Sequence, residues 1–251
     1  MRLMKSAAIK RTKMLKELSF WDHLDELRAV LVKCAFALAI GAACSFVYID
    51  KIIVFITKPI GQLVYTSPAD AFMAQFTVAL FTGFLLAFPV ILYQVWKFVS
   101  CGLKDNEKKY IIIFAPFSLL LFFLGAAFAY FLVIPVCLKF LFGFSTAKIV
   151  PMITVNNYIS FFGTMLLAFG VVFELPLVLM FLTAIGIATP AFLIQKRRHA
   201  IVLILIVSAI LTPPEVASQI LMAIPLLVLY EIGIVFSKIA YRPGTLFKNP
   251  Q

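Results

Sequence analysis

A single acidic residue, Glu174, lies near the middle of an apolar run that extends from residue 158 to residue 188 and contains no basic residue. A carboxylate near the centre of a bilayer costs about 2.5–3.5 kcal/mol on insertion scales, so an acid in such a run is rarely accidental. It could relay a proton, dock a polar group, or only form a hydrogen bond that packs the helices. The run alone leaves these interpretations open.

The other residue types that could carry chemistry form no site in the sequence. Cys34, Cys44, Cys101 and Cys137 are scattered without a CxxC pair, and the two histidines are far apart. This spacing predicts neither a disulfide framework nor a metal site. The chain also lacks a Walker-type phosphate loop. We therefore predict no cofactor and no enzymatic activity.

The composition predicts the elements that must position Glu174. Hydrophobic residues make up 63% of the chain and charged residues 13%, which is typical of an integral membrane protein. Five apolar runs each reach the length of a transmembrane helix: 29–49, 72–97, 110–137, 156–182 and 216–237. A further apolar run, 201–211, would cover only about 17 Å as a helix, so it is either a buried stub or a span in thinned bilayer.

The segment Thr212-Pro213-Pro214-Glu215 separates the last two runs. Thr212 can cap the next helix, Pro213 suits its first position, and Glu215 falls where a capping box places its acid. The segment thus predicts a tight hairpin. The resulting fold class is an all-α membrane protein with six transmembrane helices, of which the last two are short.

The basic residues are distributed unevenly between the two sides of this predicted bundle. Eighteen of the 22 Lys and Arg residues fall in segments 1–33, 97–109, 196–198 and 238–251, against four on the opposite side. Because Lys and Arg accumulate in cytoplasmic loops, both termini are predicted to be cytoplasmic. Segments 50–71 and 138–155 then form extracytoplasmic caps.

The amino-terminal segment is basic and, over its first 16 residues, free of acids. It has no apolar core of a secretory signal, although an organellar transit peptide would share this composition. Ser19 can cap a helix whose Leu24, Leu27 and Leu31 share one face, which predicts a helix along the membrane surface. We predict a basic tail over 1–18, one membrane domain over 19–240 and a disordered cytoplasmic tail over 241–251.

The chain carries a series of motifs: HLDELR at 23–28, PVILYQVWKF at 89–98, GAAFAYF at 125–131, AFGVVFELP at 168–176, LTPPE at 211–215, SQ at 218–219, AIP at 223–225 and EIG at 231–233. In this order and spacing they resemble the TatC family, the core subunits of twin-arginine protein translocases. The resemblance covers about residues 18–240. It implies a six-span receptor in the bacterial inner membrane, or in an organellar membrane, that oligomerises and works with single-span TatA-type and TatB-type partners.

The resemblance also implies a binding site for twin-arginine signal peptides of folded proteins, with export driven by the proton-motive force. Glu26 and Glu107 match two acids of the family's site, Arg28 matches the arginine of the first motif, and Phe98 and Leu103 flank the second acid. Two carboxylates suit two guanidinium groups because bidentate pairing adds geometric specificity. Without the resemblance, Glu107 would be read as a solvated loop acid.

Four further positions carry over from the family. Pro59 matches a functional proline of the first cap, where the residues alone indicate only a turn or a helix start. Gln219, near Thr212, matches a contact with a partner helix, and the alternative is a hydrogen bond within the hairpin. Glu174 becomes a family-typical acid, predicted to face a polar concavity, that either maintains a local membrane defect or docks a polar group of a partner.

Three positions depart from the family pattern. Cys101 stands where the family usually has proline, Val30 replaces a second basic residue after Arg28, and Glu215 stands where aspartate is usual. The first departure predicts a less rigid loop before Glu107.

Two rival functions remain on the residues alone. The first is a proton-coupled transporter of small solutes that uses Glu174 as a relay, although no internal repeat and no paired intramembrane base support it. The second is a scaffold that binds partner helices and reads no signal.

Overall fold

The computed structural model describes residues 20–58, 60, 63–103, 105–143, 152–211 and 216–241. Regular structure in these ranges is helical, which confirms the predicted all-α class. The predicted amino-terminal tail, the cap at Ser19 and all of the carboxy-terminal tail except Tyr241 lie outside the described residues. The helices are α1 (Phe20–Val47), α2 (Ile49–Thr57), α3 (Pro68–Cys101), α4 (Asp105–Phe128), a π-helical turn (Ala129–Val133), α5 (Ile134–Phe142), α6 (Val155–Phe173), α7 (Leu175–Ala184), α8 (Pro190–Gln195), α9 (Arg197–Leu211) and α10 (Val216–Ala240).

Five helical stretches of the described chain are long and apolar enough to cross a membrane: Leu24–Val47, Pro68–Cys101, Ile111–Phe142, Val155–Ala184 and Met222–Ala240. Helix α9 has 15 residues, or about 22 Å, which is less than a hydrocarbon core of about 30 Å. Helix α10 has 25 residues. Of the two spans predicted to be short, only α9 is short, because α10 contains the whole apolar run 216–237, which already reaches the length of a transmembrane helix.

Polar side chains fix where several helices begin. Ser67 and Asp70 form a complete capping box at α3, and Pro68 occupies the first turn, where its missing N–H costs nothing. Thr154 caps α6, and Thr189 caps α8 immediately before Pro190. These caps satisfy backbone donors that would otherwise lack partners at the helix ends.

Proline also shapes the interior of the spans. The span Ile111–Phe142 contains the π-helical turn, and Pro135 follows directly in α5. Proline has no N–H and its ring clashes with the carbonyl four residues earlier, so the wider turn absorbs the conflict without breaking the span.

The fourth span divides at Glu174, which ends α6 and precedes α7. We predicted a span over 156–182, and the helical stretch Val155–Ala184 confirms it, but the turn at Glu174 was not predicted. Pro176 cannot donate to a carbonyl of the preceding turn, so the helix closes with a bond from the Glu174 N–H to the Val171 carbonyl, 3.1 Å, and starts again. The acid therefore sits at a helix junction.

The two segments predicted as caps contact each other through the backbone. The Val64 N–H donates to the Ile153 carbonyl and the Val155 N–H donates to the Val64 carbonyl, both at 3.1 Å. The buried Tyr158 hydroxyl donates to the Ile56 carbonyl of α2 at 2.7 Å. These bonds tie α2 and the start of α3 to the start of α6.

Small residues bring the first two spans together. Gly41 of α1 faces Gly83 of α3 so closely that a Cβ on Gly83 would lie 2.4 Å from the backbone nitrogen of Ala42. Small residues allow such backbone approach between membrane helices, where dispersion contacts replace the hydrophobic effect. On the other side of the molecule, the buried hydroxyls of Thr183 and Ser237 lie 2.6 Å apart and join α7 to α10.

Candidate functional site

Helices α1 and α3 bring together two side chains that are 75 positions apart in the chain. The Cys101 thiol, on the last residue of α3, donates to Oε1 of Glu26 in α1 at 2.8 Å. Glu26 is half-buried, whereas Asp25 beside it is exposed. A partly shielded carboxylate interacts more strongly with a cation than a fully solvated one does.

An aromatic cluster fixes the end of α3 beside this carboxylate. Trp96 of α3 packs edge-on against Phe181 of α7 with ring centroids 5.2 Å apart, and Phe114 of α4 packs edge-on against Phe181 at 5.6 Å. All three side chains are buried, and Leu103 packs against the cluster. The loop after α3 therefore leaves from a rigid support.

Of the other predicted contact residues, the structure describes Arg28, Phe98 and Leu103. Arg28 is exposed on α1, and Phe98 is half-buried on α3. Leu103 is half-buried against the aromatic cluster, so part of its surface serves packing. Glu107 lies in the first turn of α4, but its side chain is outside the described part of the molecule. Pro59 lies outside the described residues.

Glu174 forms a second polar site, within the membrane-spanning region. Its Oε2 accepts a hydrogen bond of 2.5 Å from the hydroxyl of Ser118, a residue of α4 that is 2% exposed. Its Oε1 is buried and has no hydrogen-bond partner among the described residues. An open groove of about 280 Å³ elsewhere in the protein is lined by apolar side chains, and Glu174 is not among them.

Ser118→Ala is expected to lower the free energy of unfolding by about 1–3 kcal/mol, because the half-buried Glu174 carboxylate would lose its hydrogen-bond donor. The measurement is thermal unfolding of the purified protein in lipid nanodiscs. Ser45→Ala is the matched control, since Ser45 is also 2% exposed and its hydroxyl has no partner in the described residues. Equal effects of the two variants would contradict a specific role for the Ser118–Glu174 bond.

Helices α9 and α10 pack side by side, as the predicted hairpin requires. The Gln219 side-chain amide donates to the Leu205 carbonyl of α9 at 2.9 Å, which is the intramolecular alternative for this residue. At the other end, Arg197 and Glu231 form an ion pair of 2.7 Å. Thr212 and the rest of the predicted turn lie outside the described residues.

Comparison with known proteins identifies the family to which the chain belongs. A family model described as "Sec-independent protein translocase protein (TatC)" matches residues 22–225. The protein of that name from Carboxydothermus hydrogenoformans is 39% identical over 228 residues, which is 89% of this chain and 94% of the relative. The Bacillus subtilis protein TatCy is 38% identical over 90% of this chain and 92% of its own length. The chain belongs to the TatC family.

A solved structure agrees with this assignment. The crystal structure described as "Twin Arginine Translocase Receptor- TatC" is 40% identical, superposes with a TM-score of 0.81, and covers 88% of this chain and 100% of its own. This TatC protein is therefore a core subunit of a Sec-independent protein translocase, not an enzyme, and a multi-pass protein of the bacterial cytoplasmic membrane. Membership in a protein translocase family does not support the small-solute transporter.

Three contacts of this TatC chain were not predicted from the sequence. Cys101 was noted only as a departure from the family, and Ser118 not at all, because hydropathy gives no sign of which serine in an apolar run faces an acid. The Arg197–Glu231 pair had a visible signal, since an acid inside the last apolar run lies at the same predicted side as the basic cluster 196–198. No group of three or more His, Cys, Asp or Glu residues comes together in the described ranges.

Proposed function

We propose that this TatC protein is the receptor that binds the twin-arginine signal of folded cargo at the corner formed by α1 and the end of α3. The observation that carries the proposal is the half-buried Glu26 carboxylate beside the buried aromatic support of α3. A guanidinium group that pairs with it would be partly removed from water, which strengthens the pair. The solved relative is itself described as a twin-arginine translocase receptor, which is consistent with this role.

Glu107 would supply the second carboxylate. It lies in the first turn of α4, and α4 begins four residues after Cys101. Glu26 contacts Cys101 before this short loop, and Glu107 follows the loop. Two acids so placed suit a pair of neighbouring arginines. The planar guanidinium group of each arginine binds a carboxylate in a bidentate manner that lysine cannot match. Arg28, Phe98 and Leu103 would line the same corner.

The topology proposed for this function has six spans with both termini in the cytoplasm. The excess of Lys and Arg in the segments on one side supports it. Helix α9 would be the fifth span in chain order and the short one, and thinning of the bilayer would accommodate its length of about 22 Å. The signal-binding corner then faces the compartment in which cargo folds.

Helix α10 would be the docking edge for TatA-type and TatB-type partner helices. Exposed apolar side chains repeat along one face of it at helical spacing, at Ile220, Ile224, Val228, Ile232 and Val235. A single-span partner could pack along such a face.

The buried and unpartnered Oε1 of Glu174 would accept a hydrogen bond from a polar group of a partner, or from water in a local membrane defect. Assembly of these subunits would allow export driven by the proton-motive force.

A peptide-binding measurement tests the receptor function. The purified chain in lipid nanodiscs is titrated with a fluorescent signal peptide that carries two arginines, and with the same peptide carrying two lysines. We expect the arginine peptide to bind at least about tenfold more tightly, because lysine loses the bidentate geometry. Equal affinities would favour the scaffold that reads no signal.

A further inference from the structure

The Cys101 thiol occupies a position from which it can control the Glu26 carboxylate. It is the last residue of α3, and its Sγ lies 2.8 Å from Oε1 of Glu26. A neutral thiol is a donor, although a weak one, and an ionised carboxylate is an acceptor only. The contact therefore has one direction, from sulfur to oxygen, and it holds one of the two carboxylate oxygens.

The end of α3 is the fixed partner in this contact. Trp96, which precedes Cys101 in the sequence, belongs to the aromatic cluster with Phe114 and Phe181, and Leu103, which follows Cys101, packs against that cluster. The three aromatic side chains come from α3, α4 and α7, so three helices hold the position of the thiol. The Cys101 thiol also contacts the Lys97 carbonyl at 3.4 Å, which restricts its rotation.

Glu26 is the partner with the longer side chain and more rotatable bonds. A glutamate side chain has three rotatable bonds and loses considerable rotamer entropy when it is held in one conformation. On α1 it is half-buried, between exposed neighbours Asp25 and Leu27. A contact that restricts this side chain before a ligand arrives lowers the entropic cost of binding.

We propose that Cys101 is a positioning residue for signal recognition, whose thiol holds Oε1 of Glu26 and so fixes the direction in which the carboxylate meets a guanidinium group. This inference rests on the proposed receptor function of the same corner. It assigns the role to a residue that touches the binding carboxylate and not the signal itself. The contact also links α1, which carries Glu26, to the end of α3, from which the loop to Glu107 departs.

The test compares Cys101→Ala and Cys101→Ser for binding of the twin-arginine peptide to the chain in nanodiscs. We expect alanine to weaken binding about threefold to tenfold, because the donor is lost, and serine to stay within about twofold, because its hydroxyl can donate. Cys34→Ala is the matched control, since Cys34 is a half-buried cysteine of α1. Should the alanine variant fail to fold, Cys101→Val takes its place, as a side chain of similar size without a donor.

A double-mutant cycle with Glu26→Ala, which removes the acceptor that Cys101 holds, separates positioning from packing. If Cys101 acts through Glu26, Cys101→Ala should have no further effect on binding in the Glu26→Ala background. An equal loss in both backgrounds would overturn the inference, because it would show that the thiol only packs the corner. Unchanged binding in Cys101→Ala, together with a large loss in Glu26→Gln, would also overturn it while leaving the receptor function intact. Equal binding of the arginine and lysine peptides to the unmodified chain would instead remove the receptor function, and the inference with it.

Discussion

Replacing Glu26 by glutamine is expected to weaken binding of a twin-arginine signal peptide by roughly tenfold to a hundredfold. Glutamine has the same shape and keeps a carbonyl acceptor, so the variant removes the charge and little else. Hydrogen bonds to charged groups contribute about 1.5–3 kcal/mol, and each 1.4 kcal/mol is a factor of ten in affinity. Glu26 is half-buried, so solvent screens this contribution only in part. The measurement is the dissociation constant in nanodiscs.

Asp25→Asn provides the matched control for Glu26→Gln. It removes the same charge from the adjacent position of α1, but Asp25 is exposed. An exposed ion pair contributes only about 0.2–1 kcal/mol and is screened by salt, so the control should change affinity by less than about fivefold. If both variants weakened binding equally, the effect would be one of net charge at the membrane surface, and Glu26 would not be a specific contact.

Much of the helical architecture follows from hydropathy. The five long apolar runs all become helices, because a chain in a bilayer must satisfy its backbone hydrogen bonds within each span. The break at Glu174 does not follow from hydropathy, since Pro176 sits in a run that is apolar on both sides. Proline is tolerated in many membrane helices, and Pro89 lies within unbroken α3. Whether a proline bends or interrupts its helix depends on packing that the sequence does not display.

The candidate site, too, could be predicted from the sequence only in part. The motif order marks Glu26 and Glu174 as important acids, but it does not give their partners. Cys101 is 75 residues from Glu26 and Ser118 is 56 residues from Glu174, so both contacts depend on how the spans pack. A single sequence gives span positions through composition, whereas helix rotation is set by close contacts between particular side chains. The pair Gly41 and Gly83 is one such contact.

Gly83→Ala is expected to lower the free energy of unfolding by about 3 kcal/mol, which is at the upper end of overpacking effects. The new Cβ would lie 2.4 Å from the nitrogen and 2.6 Å from the Cα of Ala42, and 2.8 Å from the carbonyl carbon of Gly41. All three are backbone atoms, so no side-chain rotation can relieve the clash and α1 must move away from α3. Thermal unfolding in nanodiscs measures the loss.

Gly102→Ala is the control for Gly83→Ala. A Cβ on Gly102 would have the Val99 carbonyl oxygen at 3.7 Å as its nearest contact, an ordinary distance, and its φ of −85° suits alanine. This substitution should leave the free energy of unfolding unchanged, or raise it slightly by restricting the unfolded chain. A loss as large as that of Gly83→Ala would show that the close approach of α1 and α3 is not the cause.

The Gly83 substitution also tests how the packing of α1 and α3 supports the signal site. Glu26 lies 15 residues from Gly41 along α1, which is about 22 Å. Separating the helices at the glycine contact would swing the amino-terminal end of α1 away from Cys101 and release the Glu26 carboxylate. We therefore expect Gly83→Ala to weaken binding of the twin-arginine peptide at temperatures where the variant is still folded. Full affinity in a destabilised but folded variant would mean that the amino-terminal end of α1 and the carboxy-terminal end of α3 hold together independently of the glycine contact.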